Sequence, residues 1–126
     1  MWRPESLGDV IAERVCDLRR GGRKVGRVTI TFGRPVRAPN PESRDPWWCP
    51  VRISGSGIEL FRPIPGDDSL QALILGLEFA ADILPEQAKS LRGRLDWLGQ
   101  PENLILARQA GKTDPENAFA ALLCPR

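Results

Sequence analysis

The densest set of potential ligands in the chain is Gly66-Asp67-Asp68-Ser69, two adjacent carboxylates followed by a hydroxyl. Such a set could hold a divalent cation, but a carboxylate site for magnesium needs further ligands or substrate phosphates to complete it. The same residues are explained by less: Asp68 as a helix N-cap, with Gln71 three positions on reaching back in a capping box. Three thiols, Cys16, Cys49 and Cys124, are scattered without the short local pairs of a zinc site, and the chain has no histidine to complete one. The same absence removes Ser-His-Asp and Cys-His catalysis. Carboxylate and lysine chemistry stay open, but no cluster of acids announces them. The expectation is a protein that is not an enzyme and carries no metal or cofactor.

Two other groups could recognise a partner. Arg19, Arg20, Arg23 and Lys24 surround the paired glycines Gly21-Gly22. Four cations in one turn could attract a phosphate backbone, or form a solvated turn that discourages edge-to-edge pairing. Trp47 and Trp48 are adjacent, so on a regular strand they face opposite ways and one enters the core. The other, Trp48, shares its face with Arg27, Thr29, Arg52 and Phe61. An aromatic among arginines on a sheet stacks bases in single-strand binders and equally seats a protein partner. In the plainer alternative the C-terminal segment, with Phe119, Leu122 and Leu123, folds back and covers this face. The candidate interaction surface is therefore Trp48, Arg52, Arg27 and Phe61, with Arg19, Arg20 and Arg23.

The elements that must position these groups follow from periodicity. Residues 10–19 fit either a helix or a strand, and the glycine turn beside them favours a strand in a hairpin. Residues 25–32 alternate, with Val28, Ile30 and Phe32 on one face and Arg27, Thr29 and Thr31 on the other. Residues 33–46 contain four prolines and read as a long loop. Residues 47–54 form the next strand; Pro50 cannot donate to a ladder, which predicts an edge position or a bulge there. Gly55-Ser56-Gly57 turns the chain into a strand over residues 58–62. From Asp68 an apolar run to Leu84 predicts a helix with a stripe of Leu70, Leu73, Leu77 and Ala80, joined by Ile74 and Ala81. Pro85 is expected to end or kink it. Leu95-Asp96-Trp97-Leu98-Gly99 could close the sheet, and Asp114-Pro115-Glu116-Asn117 opens a short C-terminal helix. The expected architecture is a single α+β domain over residues 1–126: an antiparallel β-meander of about four strands packed on one long helix, with residues 99–126 as a C-terminal extension.

Trp48-Cys49-Pro50-Val51-Arg52-Ile53 and Gly66-Asp67-Asp68-Ser69-Leu70-Gln71-Ala72-Leu73 resemble the strand and helix start of a bacterial family of domains without known function. Ile11-Ala12-Glu13-Arg14 and Phe32-Gly33-Arg34-Pro35 resemble its opening. The resemblance covers roughly residues 10–98. It implies a short β-meander followed by one long helix, and it brings no activity that could be carried to particular residues.

Composition narrows the class of partner. Arginine outnumbers lysine 15 to 3, and residues 1–66 hold 12 Lys/Arg against 7 Asp/Glu while residues 67–126 hold 6 against 9. A basic sheet beside an acidic helical half accounts for this asymmetry. No apolar run is long enough to span a bilayer, and the opening residues lack the apolar core of a signal peptide. The expectation is a cytoplasmic, non-catalytic interaction module, binding an unidentified protein or a second copy of itself as a homodimer. The competing reading is a nucleic-acid-binding accessory domain.

Overall fold

The computed structural model describes residues 1–101 and 104–105, and within them six strands and one helix. The strands are β1 (Val10–Arg20), β2 (Arg23–Gly33), β3 (Val36–Arg37), β4 (Trp47–Gly55), β5 (Ile58–Gly66) and β6 (Arg94–Asp96); α1 (Ser69–Ser90) lies between β5 and β6. All pairings are antiparallel. Across the sheet the order is β6-β1-β2-β4-β5, with the short β3 prolonging β2 along the same side of β4. The expected α+β class holds, with six strands in place of about four. The short C-terminal helix expected over residues 118–123 lies outside the described residues.

Local chemistry sets both hairpins. Arg20 pairs with Arg23 across Gly21-Gly22, and both glycines have positive φ, 57° and 78°. Gly55 pairs with Ile58 across Ser56-Gly57, again with both central residues at positive φ. Two left-handed residues give the turn whose twist matches that of paired strands.

Pro50 sits differently from expectation. β4 is an interior strand, flanked by β2 and β3 on one side and β5 on the other. Pro50 faces Pro63 directly across the β4–β5 ladder. Neither has an N–H, so this must be a pair that exchanges no hydrogen bonds. The nitrogen of Pro50 therefore points to its other neighbour, where β2 has ended at Gly33 and β3 has not begun. The break in the neighbouring strand is what allows a proline inside the sheet. It also explains β3: the loop expected over residues 33–46 resumes pairing at Val36, opposite Trp48.

Helix α1 starts as expected. Asp68 Oδ1 accepts from Gln71 N at 2.7 Å, and Gln71 Oε1 accepts from Asp67 N at 2.6 Å. Its buried line is not the expected leucine stripe. Ala72, Gly76, Ala80, Leu84 and Ala88 are buried, whereas Leu70 is 63% and Ile74 45% exposed. Each four-residue step advances about 40° round a helix, so the contact line winds round α1 as the helix crosses the sheet. Small residues along it let the two backbones approach: a Cβ on Gly76 would stand 2.8 Å from Cys49 Sγ. Pro85 does not end the helix. Leu84 and Ala88 bury on either side of it, and that burial offsets the loss of one helical hydrogen bond. The helix ends in a Schellman motif, with Gly93 N donating to Ala88 O (3.1 Å) and Arg92 N to Lys89 O (3.0 Å). The left-handed position of that motif is filled by Arg92, φ 54°.

The core lies between α1 and one face of the sheet. Cys16, Leu18, Val28, Ile30, Cys49, Val51 and Ile53 come from the strands, and Leu95 and Leu104 close its far end. Arg14 fixes that end: its Nη1 donates to Leu104 O at 2.7 Å and its guanidinium lies 3.6 Å from the centre of the Trp97 ring.

Candidate functional site

Strand register puts the expected surface residues on one face. Thr31 pairs with Arg52 and Arg52 with Phe61, and Arg27 lies four residues back along β2 on the same side. Trp48 also belongs to this face, beside Val36 and Pro65, but it is only 8% exposed. β3 supplies the neighbour that the sequence did not announce. Trp48 is thus under cover and offers no stacking surface. Arg52 is exposed but committed, its Nε donating to Glu59 Oε1 at 2.7 Å. That bond holds the Glu59 carboxyl below its ordinary pKa and raises the guanidinium above its own.

What borders this face is the start of the chain. A Cβ on Gly33 would meet the Leu7 carbonyl and stand 3.2 Å from Pro50 Cβ, and Arg34 N donates to Asp9 O at 2.7 Å. Residues 5–8 form one wall of a shallow groove of about 550 Å³ whose other wall is Arg52, Glu59 and Phe61. The C-terminal residues invoked as a cover, Phe119, Leu122 and Leu123, lie outside the described residues.

The basic turn is largely spent on the fold. Arg19 Nε donates to Asp96 Oδ2 at 2.7 Å, and Lys24 pairs with Asp17 at 3.2 Å. Arg20 donates through Nε and Nη2 to the Leu91 carbonyl, at 3.1 and 2.7 Å, and so caps the C-terminus of α1. Of the candidate cations in the turn, Arg23 alone has no side-chain partner among the described residues.

Cys16 and Cys49 are structural, and Cys124 lies outside the described residues. Cys16 and Cys49 are both 0% exposed. Burial pushes each up to about 11 from 9.0; at Cys16, Arg14 pulls the other way while Asp96 and Asp17 add to the rise. A thiol whose pKa is raised by folding stabilises the fold fully below pH 9, and that contribution drains away as pH climbs to 11. Two results are expected. Neither thiol reacts with a water-soluble disulfide reagent at pH 8 until denaturant is added, and the urea midpoint falls between pH 9 and 11. Rapid labelling of either residue in native buffer would contradict the assignment. Among the described residues no three His, Cys, Asp or Glu side chains gather as metal ligands, and no helix is long and apolar enough to cross a membrane.

The surface that sequence reasoning missed is on α1. Leu70 and Ile74 are exposed on the first two turns, flanked by half-buried Leu73 and Leu77. The signal was present as four apolar residues at spacing i, i+3, i+4 and i+7, part of an apolar surface broad enough to pack on the sheet on one side and on something else beside it.

No curated protein and no solved structure matches the chain. A family model described as a domain of unknown function, DUF6968, matches residues 12–108, a span that runs from β1 through β6. The resemblance drawn from the sequence covers nearly the same stretch, and the chain belongs to this family of domains of unknown function, DUF6968.

Proposed function

We propose that this domain is a non-catalytic protein-interaction module that docks an amphipathic helix of its partner on the outward face of α1. The observation that carries the reading is the exposure of Leu70 and Ile74, 63% and 45%, beside Leu73 and Leu77. Apolar residues at this spacing form the stripe by which one helix packs on another. Asp67 and Glu78, both exposed, rim the stripe with negative charge, so the complementary partner carries an apolar stripe flanked by lysine or arginine. The sheet edge is the poorer contact. With Pro50 and Pro63 fixed as a pair without hydrogen bonds, alternation points the nitrogens of Pro63 and Pro65 away from β4. The outer edge of β5 thus lacks two of the donors that an added strand would need.

The test is a photo-crosslinking residue placed at position 74 and, separately, at position 27, in native lysate. A product expected at 74 is absent at 27 and lost on Leu70→Asp, and its crosslinked peptide carries the basic-flanked apolar stripe. Because Leu70 is exposed, Leu70→Asp leaves the fold within about 0.5 kcal/mol of the parent. Equal labelling from both positions would remove the reading. A crosslink to a second copy would reject the basic partner and make the face a homodimer contact.

A further inference from the structure

We infer that the pole of the domain formed by the β1–β2 turn and the end of α1 binds the phosphate backbone of a nucleic acid through Arg23, Arg92 and Arg94. The sequence offers only the turn; the fold adds the rest from some seventy residues later. Arg19 pairs with Arg94 across β1 and β6, Arg20 with Arg23 across the turn, and Arg20 grips the Leu91 carbonyl beside Arg92. Seven cations therefore meet here, counting Lys24 and Lys89, against three acids: Asp17, Glu86 and Asp96.

Each acid is already paired, with Lys24, Lys89 and Arg19 in turn. The partial charge of about −0.5 at the end of α1 accounts for Arg20, which caps it. Arg23, Arg92 and Arg94 are exposed and have no side-chain partner among the described residues. The fold thus explains four of the seven and leaves three guanidiniums over.

Backbone strain marks the same place. Arg92 holds φ 54° in the Schellman position that favours glycine, while Gly93 stands one residue later. Retaining arginine there sacrifices local stability for a guanidinium at the pole. Alternation places Arg94 with Arg19 on the outer face of the sheet and Arg23 with Arg20 on the α1 face, beside Arg92. The three guanidiniums therefore flank the end of the sheet from both sides, with the backbones of β2 and β6 roughly 10 Å apart. A nucleic-acid strand crossing that end meets them, since planar guanidiniums bind phosphate oxygens in pairs.

The experiment is fluorescence anisotropy of the full chain with a 20-nucleotide single-stranded RNA and a 20-base-pair DNA duplex, from 50 to 200 mM KCl. Three phosphate contacts predict a log–log salt slope of about −2.1 for the single strand and about −2.7 for the duplex, a loss of roughly 20-fold or 40-fold over that range. Arg23→Gln and Arg94→Gln each lower the slope by about 1. Arg92→Gly does the same while raising Tm by a few degrees, roughly 2–5 °C, because glycine relieves the strained φ. A merely structural role would move binding and Tm together. Arg27→Gln, on the sheet face, leaves the slope unchanged, and so does Leu70→Asp; α1 separates Leu70 from this pole by about 30 Å, so failure of either proposal is read independently of the other. Absence of binding to both probes at 50 mM KCl, slopes insensitive to all three variants, or binding only to phosphatidylserine vesicles would overturn the inference.

Discussion

Gly66→Val is expected to destabilise the domain by about 3 kcal/mol or more, a large part of the roughly 5–15 kcal/mol that holds a domain of this size. Gly66 is the last residue of β5, buried and paired with Trp47, and the first turn of α1 lies directly against it. A Cβ there would meet Ala72 N and stand 2.7 Å from Ala72 Cα and 2.9 Å from Gln71 C. These are backbone atoms within a capped helix, so no side chain can swing aside to make room. The comparison that isolates this cause is Gly57→Ala. Gly57 has open space around it but φ 88°, so its substitution costs only the left-handed strain of about 1–2 kcal/mol. Urea unfolding followed by circular dichroism measures both. If Gly66→Val loses no more than Gly57→Ala, the helix does not press on the strand as described.

The second large effect separates the two stripes of α1. Leu84→Ala is expected to cost about 3 kcal/mol, within the range of roughly 2–5 for truncating a fully enclosed leucine, because Leu84 of α1 is 0% exposed in the core. Leu70→Ala, at 63% exposure, is expected to change stability by less than about 0.5 kcal/mol. The periodicity of the sequence makes the opposite assignment for Leu70, so the pair of variants decides between a stripe chosen by residue type and one chosen by geometry. A cost at Leu70→Ala equal to that at Leu84→Ala would place the leucine stripe in the core after all.

Much of the architecture is legible from local chemistry. The strands β2, β4 and β5 announce themselves by alternation and glycine-bearing turns, and β1, ambiguous in period, by the glycine turn beside it. The start of α1 is fixed by Asp68 and Gln71, whose hydrogen bonds need nothing beyond the first turn. The end of α1 is less legible. Pro85 signals a stop, and only the burial of Ala88 beyond it carries the helix on to Ser90. β3 is two residues long and pairs with a strand ten residues away, too short for any period to register.

The candidate surface divides along the same line. The shared face of Arg27, Arg52 and Phe61 follows from strand alternation, a property of each strand taken alone. That Trp48 is covered, that Arg52 is bound to Glu59 and that Arg20 caps α1 depends on groups distant in sequence. By itself, then, the sequence determined the longer strands, the start of the helix and which residues share a face, because dihedral preference, capping and side-chain alternation act over a few residues. Only the tertiary structure decided which apolar stripe of α1 is buried and which arginines remain free, because burial and ion pairing depend on what the rest of the chain brings within a few ångströms.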